Sequence, residues 1–554
     1  MKKLFIVILL VISSAVYSQY ELQWYATYDN PHPSYNDDAV DIVEDNSGNI
    51  YVTGTSFQMD PTDDWRYDFA TVKYNSSGDS LWVRRFDTSI LNENEDRAVA
   101  IGIDALNNVY VTGTSYTSSH VEATTIKYNS DGNEIWKRSY FDSTLTILLE
   151  VKDMKVDIEG NVFVALAYYG ISRISEIIKY NTNGEMVWIR KYFNGNSDIN
   201  NIISLTLDNS GNIYATGCTR DSGTSGRDYL TLKYSPDGIL LWAAKTNQSE
   251  EDIGYSVKAD DNGNTYVAGY SRVDESNHDF KLIKYNSSGE MQWIRSYTGR
   301  HEADGFHMYG KRNMIVLDDD GNIYANFSTR RVSYLNDIAT IKYDPFGALK
   351  WINIYSHIPG MYASQQEAED IKIVRSDIYI IGKSTFDETS DSYVILKYDT
   401  SGITKNIIRN ENQFINIFLP VSLAVNENGK ISATGSCISG YNHYVTDYFT
   451  VQYSNTTGLN TLSNSIPDKF RLDQNYPNPF NPATSITYSL GEPGLVSLKI
   501  FDILGKEISS LVNEKQNAGS HVVEFKGEGL PSGIYFYSLE SGKFSATKRM
   551  ILLK

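Results

Sequence analysis

An all-β fold is predicted by three features of the sequence: a repeat of about 54 residues, two-residue alternation of apolar and polar positions within it, and turn residues at fixed offsets between the alternating runs. "KYNSSGDSLW" at Lys73 returns as "KYNSDGNEIW" at Lys127, "KYNTNGEMVW" at Lys179, "KYSPDGILLW" at Lys233, "KYNSSGEMQW" at Lys284 and "KYDPFGALKW" at Lys342, with weaker copies at Lys397 and Gln452. The 379 residues from Tyr74 to Tyr453 span seven intervals, which sets the period. In the first copy the four alternating segments are "AVDIVED", "NIYVTG", "FATVKY" and "SLWVRRF". Four short antiparallel strands per repeat predict a propeller blade, and eight copies predict an eight-bladed β-propeller. Seven blades is the alternative, should two weak copies merge.

The chain opens with Lys2-Lys3, the apolar run "LFIVILLVI" and the small-residue stretch "SSAVYS", which reads as a secretory signal peptide over residues 1–18. Its apolar core is shorter than the roughly 20 residues of a membrane span, and no later stretch reads as a transmembrane segment. The mature protein is expected to start near Gln19 and to be secreted. "ELQWYATYD" around Trp24 then matches the fourth-strand segment "SLWVRRFD", yet it precedes the first full copy, while the eighth copy stops at Gly458 without a fourth strand. An N-terminal strand that completes the last blade and closes the ring is expected, because closure removes the exposed edges of an open array. The propeller is assigned to residues 19–458.

Within each copy the first hairpin reads D-x-x-G-N, as at Asp45 and Asp208, with Asn107 in the Gly position of the second copy. The Asp can accept from backbone N–H groups two or three residues on, and Gly or Asn accepts positive φ. The second hairpin carries Gly78, Gly132, Gly184, Gly238, Gly289, Gly347, Gly402 and Gly458. In a four-stranded meander both hairpins fall on one face. The remaining connections, such as "TSFQMDPTDDWRYD" and "YTGRHEADGFHMYG", are long and differ in every copy, so binding is expected on the opposite face, around the mouth of a central channel. Seven of the eight tryptophans occupy the fourth strand. Trp65 alone lies outside that pattern, in the longest loop of the first copy, where it would stack on a sugar or anchor a protein; packing against the next blade is the plainer role. His301 and His307 of "HEADGFH" complete the candidate ligand-binding set, and their spacing fits no standard metal pattern, so no metal is assigned.

The net charge of −19 is uneven: nine Lys/Arg face eight Asp/Glu from Phe470 onward, leaving 40 basic and 60 acidic residues upstream. An acidic surface repels phosphate backbones, which argues against nucleic acid as a partner. The nearest approach to a calcium loop, Asp318-Asp319-Asp320-Gly321, lacks the distal carboxylate, and G-x-S-x-G, H-E-x-x-H and Walker sequences are absent. No catalytic residue or cofactor is assigned. Cys218 and Cys437 occupy equivalent places in copies 4 and 8, opposite one another in an eight-membered ring, so no disulfide is expected.

The D-x-x-G-N-x-Y-V-x-G core and K-Y-x-x-x-G-x-x-x-W tail of these copies resemble the bacterial SBBP propeller repeats, from about Tyr20 to Gly458; copy 7 departs, with "RSDIY" and Asn406 where Trp is expected. The G-x-x-x-W spacing is also similar to that of quinoprotein dehydrogenases, which implies shared blade packing. After a polar linker, residues 459–469, strand-like runs separated by Gly and Pro predict a small Ig-like β-sandwich over residues 470–554. This segment resembles the type A C-terminal sorting domain of the type IX (Por) secretion system. The matching residues are Asn475, Tyr476, Pro477, Asn478, Pro479, Phe480, Asn481 and Pro482, then Gly505, Gly533 and Tyr535, and the basic end Lys548-Arg549. The resemblance implies the type IX machinery as a partner and a secreted or outer-membrane surface-attached product. The function expected is a binding scaffold for glycan or protein on the variable-loop face. The competing readings are a propeller enzyme (hydrolase, lyase or quinone-dependent) with its site in the channel mouth, and a structural surface-layer protein.

Overall fold

The computed structural model describes residues 19–29, 36–59, 65–88, 96–144, 148–169, 174–193, 197–223, 226–272, 278–298, 313–332, 335–356, 366–387, 390–409, 418–438, 446–456, 471–472, 475, 480, 483–490, 493–503, 505–516, 519–527, 529–542 and 544–552. The chain divides into two compact units, Met1–Thr456 and Thr457–Lys554. Among the described residues both are built of strands and turns.

Among its described residues the first unit holds eight four-stranded antiparallel sheets. Sheet 1 is the meander Asp37–Glu44, Ile50–Met59, Trp65–Tyr74 and Ser80–Phe86. Sheets 2 to 7 repeat it over residues 97–140, 148–192, 197–246, 252–297, 315–355 and 366–409. Sheet 8 takes three strands from residues 418–456, and Gln19–Tyr28 pairs antiparallel with Thr446–Thr456 as its fourth. The second strand of a sheet, such as Val109–Tyr116, is buried along almost its whole length because sheets pack on both of its faces.

The repeated residues hold one sheet to the next. The indole Nε1 of Trp24, Trp82, Trp136, Trp188, Trp242, Trp293 and Trp351 donates to the carbonyl of Ser76, Ser130, Thr182, Pro236, Ser287, Pro345 and Thr400 respectively, at 3.0–3.3 Å. Each acceptor lies in the second hairpin of the following sheet, and for Trp24, in sheet 8, that sheet is sheet 1. The hairpin glycine lies against the indole: a Cβ on Gly132, at φ +78°, would stand 2.8 Å from the Trp82 ring. The repeat's lysine joins the same contact, Lys73 Nζ donating to Ser130 O at 2.8 Å. Sheets 7 and 8 meet through Leu423 N–H to Asp370 Oδ2 (3.1 Å), and sheets 8 and 1 through Ser422 Oγ to Asp41 Oδ1 (3.0 Å) and Tyr448 OH to Ala70 O (3.3 Å).

In the first hairpin, Asp45 accepts from the N–H of Ser47 and Asn49, from Asn49 Nδ2 and from the buried Tyr51 hydroxyl. The same set recurs at Asp104, Asp208 and Asp260 with Tyr110, Tyr214 and Tyr266. The aspartate therefore both shapes the turn and satisfies a phenol that burial would otherwise leave unpaired. Asn107 has φ 62°, and the shortened turn of sheet 7 places Arg375 at φ 56°.

The second unit is a two-sheet sandwich, with sheets of three strands (Arg471–Leu472, Ala483–Leu490, Gly519–Lys526) and four (Glu507–Gln516, Gly494–Phe501, Gly533–Ser541, Phe544–Leu552) around one apolar core. Phe480 and Tyr535 lie in that core, with Tyr535 OH donating to Pro531 O at 2.8 Å. The N–H of buried Asn475 donates to the Tyr537 hydroxyl oxygen (2.8 Å), and its Nδ2 donates to Thr484 Oγ1 (3.0 Å). Gly505 sits at φ +79° in a turn, Gly533 opens a strand, and Lys548 and Arg549 pair with Tyr537 and Phe536. Tyr476 to Pro479, Asn481 and Pro482 lie outside the described residues.

Candidate functional site

The first strands of the sheets meet around two cavities, and a repeated irregularity decides which side chains face them. In seven sheets the pairing of first and second strand slips by one residue, between Ala39 and Asp41, Ala98 and Ala100, Val151 and Asp153, Ile202 and Ser204, Gly254 and Ser256, Ala368 and Asp370, and Pro420 and Ser422. A β-bulge leaves one residue without a cross-strand partner and re-aims its side chain. The seven bulged residues, Val40, Val99, Lys152, Ile203, Tyr255, Glu369 and Val421, all line one cavity or the other. The residue after the bulge ties neighbouring sheets together: Asp41, Asp153 and Asp370 accept from the N–H of Ile101, Leu205 and Leu423 in the following sheet.

The larger cavity, about 430 Å³, lies toward the long-loop end of sheets 2 to 5. Lys152, Tyr169, Asn201, Arg227 and Tyr255 supply its polar and aromatic lining. Lys152 is ion-paired with Glu150 and lies 5.1 Å from the centre of the Tyr169 ring. Arg227 pairs with Glu251 at 3.2 Å. Tyr255 stacks on Tyr270, centroids 5.6 Å apart and planes 25° apart. Asn201 Nδ2 points to Tyr169 OH at 3.5 Å, while its Oδ1 is buried with no hydrogen-bond partner among the described residues. Buried Cys218 also reaches this cavity; neither it nor Cys437 forms a disulfide.

The second cavity, about 310 Å³, lies toward the hairpin end and is lined by first strands of several sheets. Lys155, Lys258 and Lys372 reach it from sheets 3, 5 and 7.

Of the residues singled out from sequence, His301 and His307 lie outside the described residues. Trp65 opens the third strand of sheet 1, its backbone paired with Met59, rather than lying in the loop expected from sequence; the strand ladder runs on past the last apolar alternation. Asp318 accepts from Asn322 N–H and Tyr324 OH, so its carboxylate serves the turn as Asp45 does. Sequence reasoning missed the bulged residues. Their signal is weak: one variable residue followed by Asp, Ala or Ser, as in Ala39-Val40-Asp41 and Gly254-Tyr255-Ser256.

Residues 474–553 match the family model described as "Secretion system C-terminal sorting domain". The tail is therefore a type IX sorting domain, which implies interaction with that machinery and a secreted or cell-surface protein. No curated protein matches the chain. Among solved structures, a puromycin hydrolase variant is 11% identical over 74% of this chain, with a TM-score of 0.42. That match spans 61% of the hydrolase, less than two thirds of its length. PorZ, a surface component of the type IX secretion system of Porphyromonas gingivalis, is 10% identical over 93% of this chain and 81% of its own, with a TM-score of 0.28. Sqt1 from Chaetomium thermophilum is 9% identical over 77% of this chain and 98% of its own, with a TM-score of 0.46. No helix among the described residues is long and apolar enough to cross a membrane.

Proposed function

We propose that this protein is an exported eight-bladed β-propeller, closed by its N-terminal strand, which binds a carbohydrate in the loop-end cavity. Blade number and closure are supported by the eight four-stranded sheets, by the pairing of Gln19–Tyr28 with Thr446–Thr456, and by the hydrogen bonds from sheet 8 to sheets 7 and 1. The limits that go with this reading are a signal peptide over 1–18, SBBP-type blades over 19–458, a linker over 459–469 and the sorting domain over 470–554.

The observation that carries the binding reading is Asn201 Oδ1, a buried acceptor without a partner among the described residues, beside two tyrosines. Once the Asn201 amide turns toward the cavity a sugar hydroxyl supplies the missing donor, and a sugar ring offers C–H faces that pack on Tyr169 and Tyr255. Lys152 and Arg227 are already neutralised by Glu150 and Glu251, which suits an uncharged ligand. The volume falls within the roughly 300–1,000 Å³ usual for small-ligand sites. Trp65, His301 and His307 are proposed to contribute from the same loop face.

A glycan array probed with the full chain, followed by titration of Asn201→Leu and Tyr255→Ala, tests this. Each variant is expected to bind about tenfold more weakly, the equivalent of about 1.4 kcal/mol. A blank array with folded protein overturns the carbohydrate reading, and recovery of a protein partner in a pull-down would then favour the protein-binding alternative.

A further inference from the structure

The geometry points to a second, chemically distinct site: the hairpin-end cavity holds a small tetrahedral dianion, of the sulfate or phosphate class, against the ammonium group of Lys258, with Lys155 and Lys372 on either side. Three lysines from alternate sheets converge on one cavity of about 310 Å³. They differ in what they already hold. Lys155 Nζ is 2.6 Å from Asp153 Oδ1, and Lys372 Nζ is 3.1 Å from Asp370 Oδ2. Lys258 Nζ has only the amide oxygen of Asn313 within reach, at 3.5 Å, and no carboxylate pairs with it among the described residues. In its sheet the place taken by Asp153 and Asp370 elsewhere is occupied by Ser256.

The cavity is not simply basic, because Asp41, Asp153, Glu369 and Asp370 also line it. Three of these are committed to the scaffold. Asp41 accepts from the N–H of Ile42 and Ile101, Asp153 from Met154 and Leu205, and Asp370 from Ile371 and Leu423. Hydrogen bonds of this kind disperse a carboxylate's charge and hold it at the sheet boundary. That leaves Lys258, among the described residues lining the cavity, as the cation without a carboxylate in hydrogen-bond reach. Burial, with Lys155 and Lys372 adding repulsion, pushes its ammonium down to about 8 against the weaker attraction of Asp153 and Asp370. An anion between the three groups offsets that penalty, and at the same distance a dianion gains twice the Coulomb energy of a monoanion. The site is separate from the carbohydrate cavity in its ligand and in Lys258, so the two readings can fail independently.

Calorimetric titration of the full chain with inorganic sulfate and with inorganic phosphate, against sodium chloride at matched ionic strength, tests the assignment. Binding heat is the readout, since both ions also stabilise proteins by exclusion from their surfaces. One saturable site per chain is expected for each dianion, on a protein whose charge of −19 otherwise repels them. Sulfate stays a dianion across the range, so loss of its binding as pH rises past the Lys258 value reports the lysine itself. Lys258→Met should weaken binding by tenfold or more while Lys258→Arg retains it. No saturable heat beyond that of chloride overturns the site, as does a Lys258→Met protein that binds like the parent. Should that variant fail to fold, the stoichiometry and the pH dependence of sulfate binding to the unaltered chain decide.

Discussion

Gly132 carries two constraints at once. Its φ of +78° disfavours any L side chain, and the Trp82 indole occupies the space a Cβ would need. Gly223 has nearly the same φ, +84°, with no atom within 4 Å of its missing Cβ. Comparing the two separates backbone strain from the sheet-to-sheet contact. Gly223→Ala is expected to cost about 1–2 kcal/mol from the left-handed backbone alone. Gly132→Ala should cost a further ~1–3 kcal/mol, because the indole has to shift and its hydrogen bond to Ser130 O weakens. Urea unfolding of both variants measures the difference; equal losses would show that the indole seat contributes nothing. The tyrosine hydroxyls belong to the same scale, since replacing Tyr51 removes a donor that Asp45 uses inside the protein.

At the scale of elements, Gln19–Tyr28 is the piece whose removal says most. Without it the strand Thr446–Thr456 presents a bare edge, and the Trp24 ring no longer fills the space beside Gly78. Loss of one buried Trp alone costs about 3–5 kcal/mol, so deletion of the strand is expected to exceed that and to expose the amides of Thr446–Thr456 to hydrogen exchange. An unchanged thermal unfolding curve would falsify this role. The strand character of "ELQWYATYD", the two hairpins and the seven tryptophans were all legible in the sequence, because alternation, Gly and aromatic residues recur at fixed offsets. The bulges were not. A one-residue slip inside a strand leaves composition unchanged and looks like ordinary alternation, so Lys152 and Tyr255 carried no mark of facing a cavity. The site was still less legible, since Asn201 becomes distinctive only when the fold buries its oxygen beside tyrosines from other strands. Trp65 was misread for the opposite reason: its strand extends through polar residues that sequence alone assigns to a loop.

For the molecule as a whole, buried carboxylates pull stability in opposite directions with pH. Burial pushes Asp96 up to about 6 even though Tyr116 and Thr88 donate N–H groups to it. Burial also outweighs the Arg85 guanidinium 2.9 Å from Asp68, whose carboxyl again sits at about 6. For both, the folded value lies above the unfolded one, so their contribution is fully present below the ordinary carboxylate value and is lost as pH rises through about 6. Asp45 and Asp104 behave oppositely: burial raises them, but hydrogen bonds from Asn49 and Tyr51, or Asn108 and Tyr110, together outweigh it and hold them low. Their contribution is lost only as pH falls below the ordinary carboxylate range. Stability is therefore expected to rise as pH falls from 7, chiefly below about pH 6, to a maximum near about pH 4, and then fall. Asp96→Asn should flatten the change between about pH 4 and 6, and a maximum at or above pH 7 in the parent would contradict the assignment.

The bond from Trp24 Nε1 to Gln452 Oε1, 2.9 Å long, joins residues 428 positions apart. A ribosome making this chain releases Trp24 early and its partner only near the end of the repeats. Until then sheet 8 has no members except one waiting strand, and the edge of sheet 1 that will receive Trp24 stays wet. Contacts of such long sequence separation slow folding, and here they postpone its completion until the repeats have all been made. The clasp thus acts as a timer, holding the chain incomplete until the residues just ahead of the sorting tail have been made.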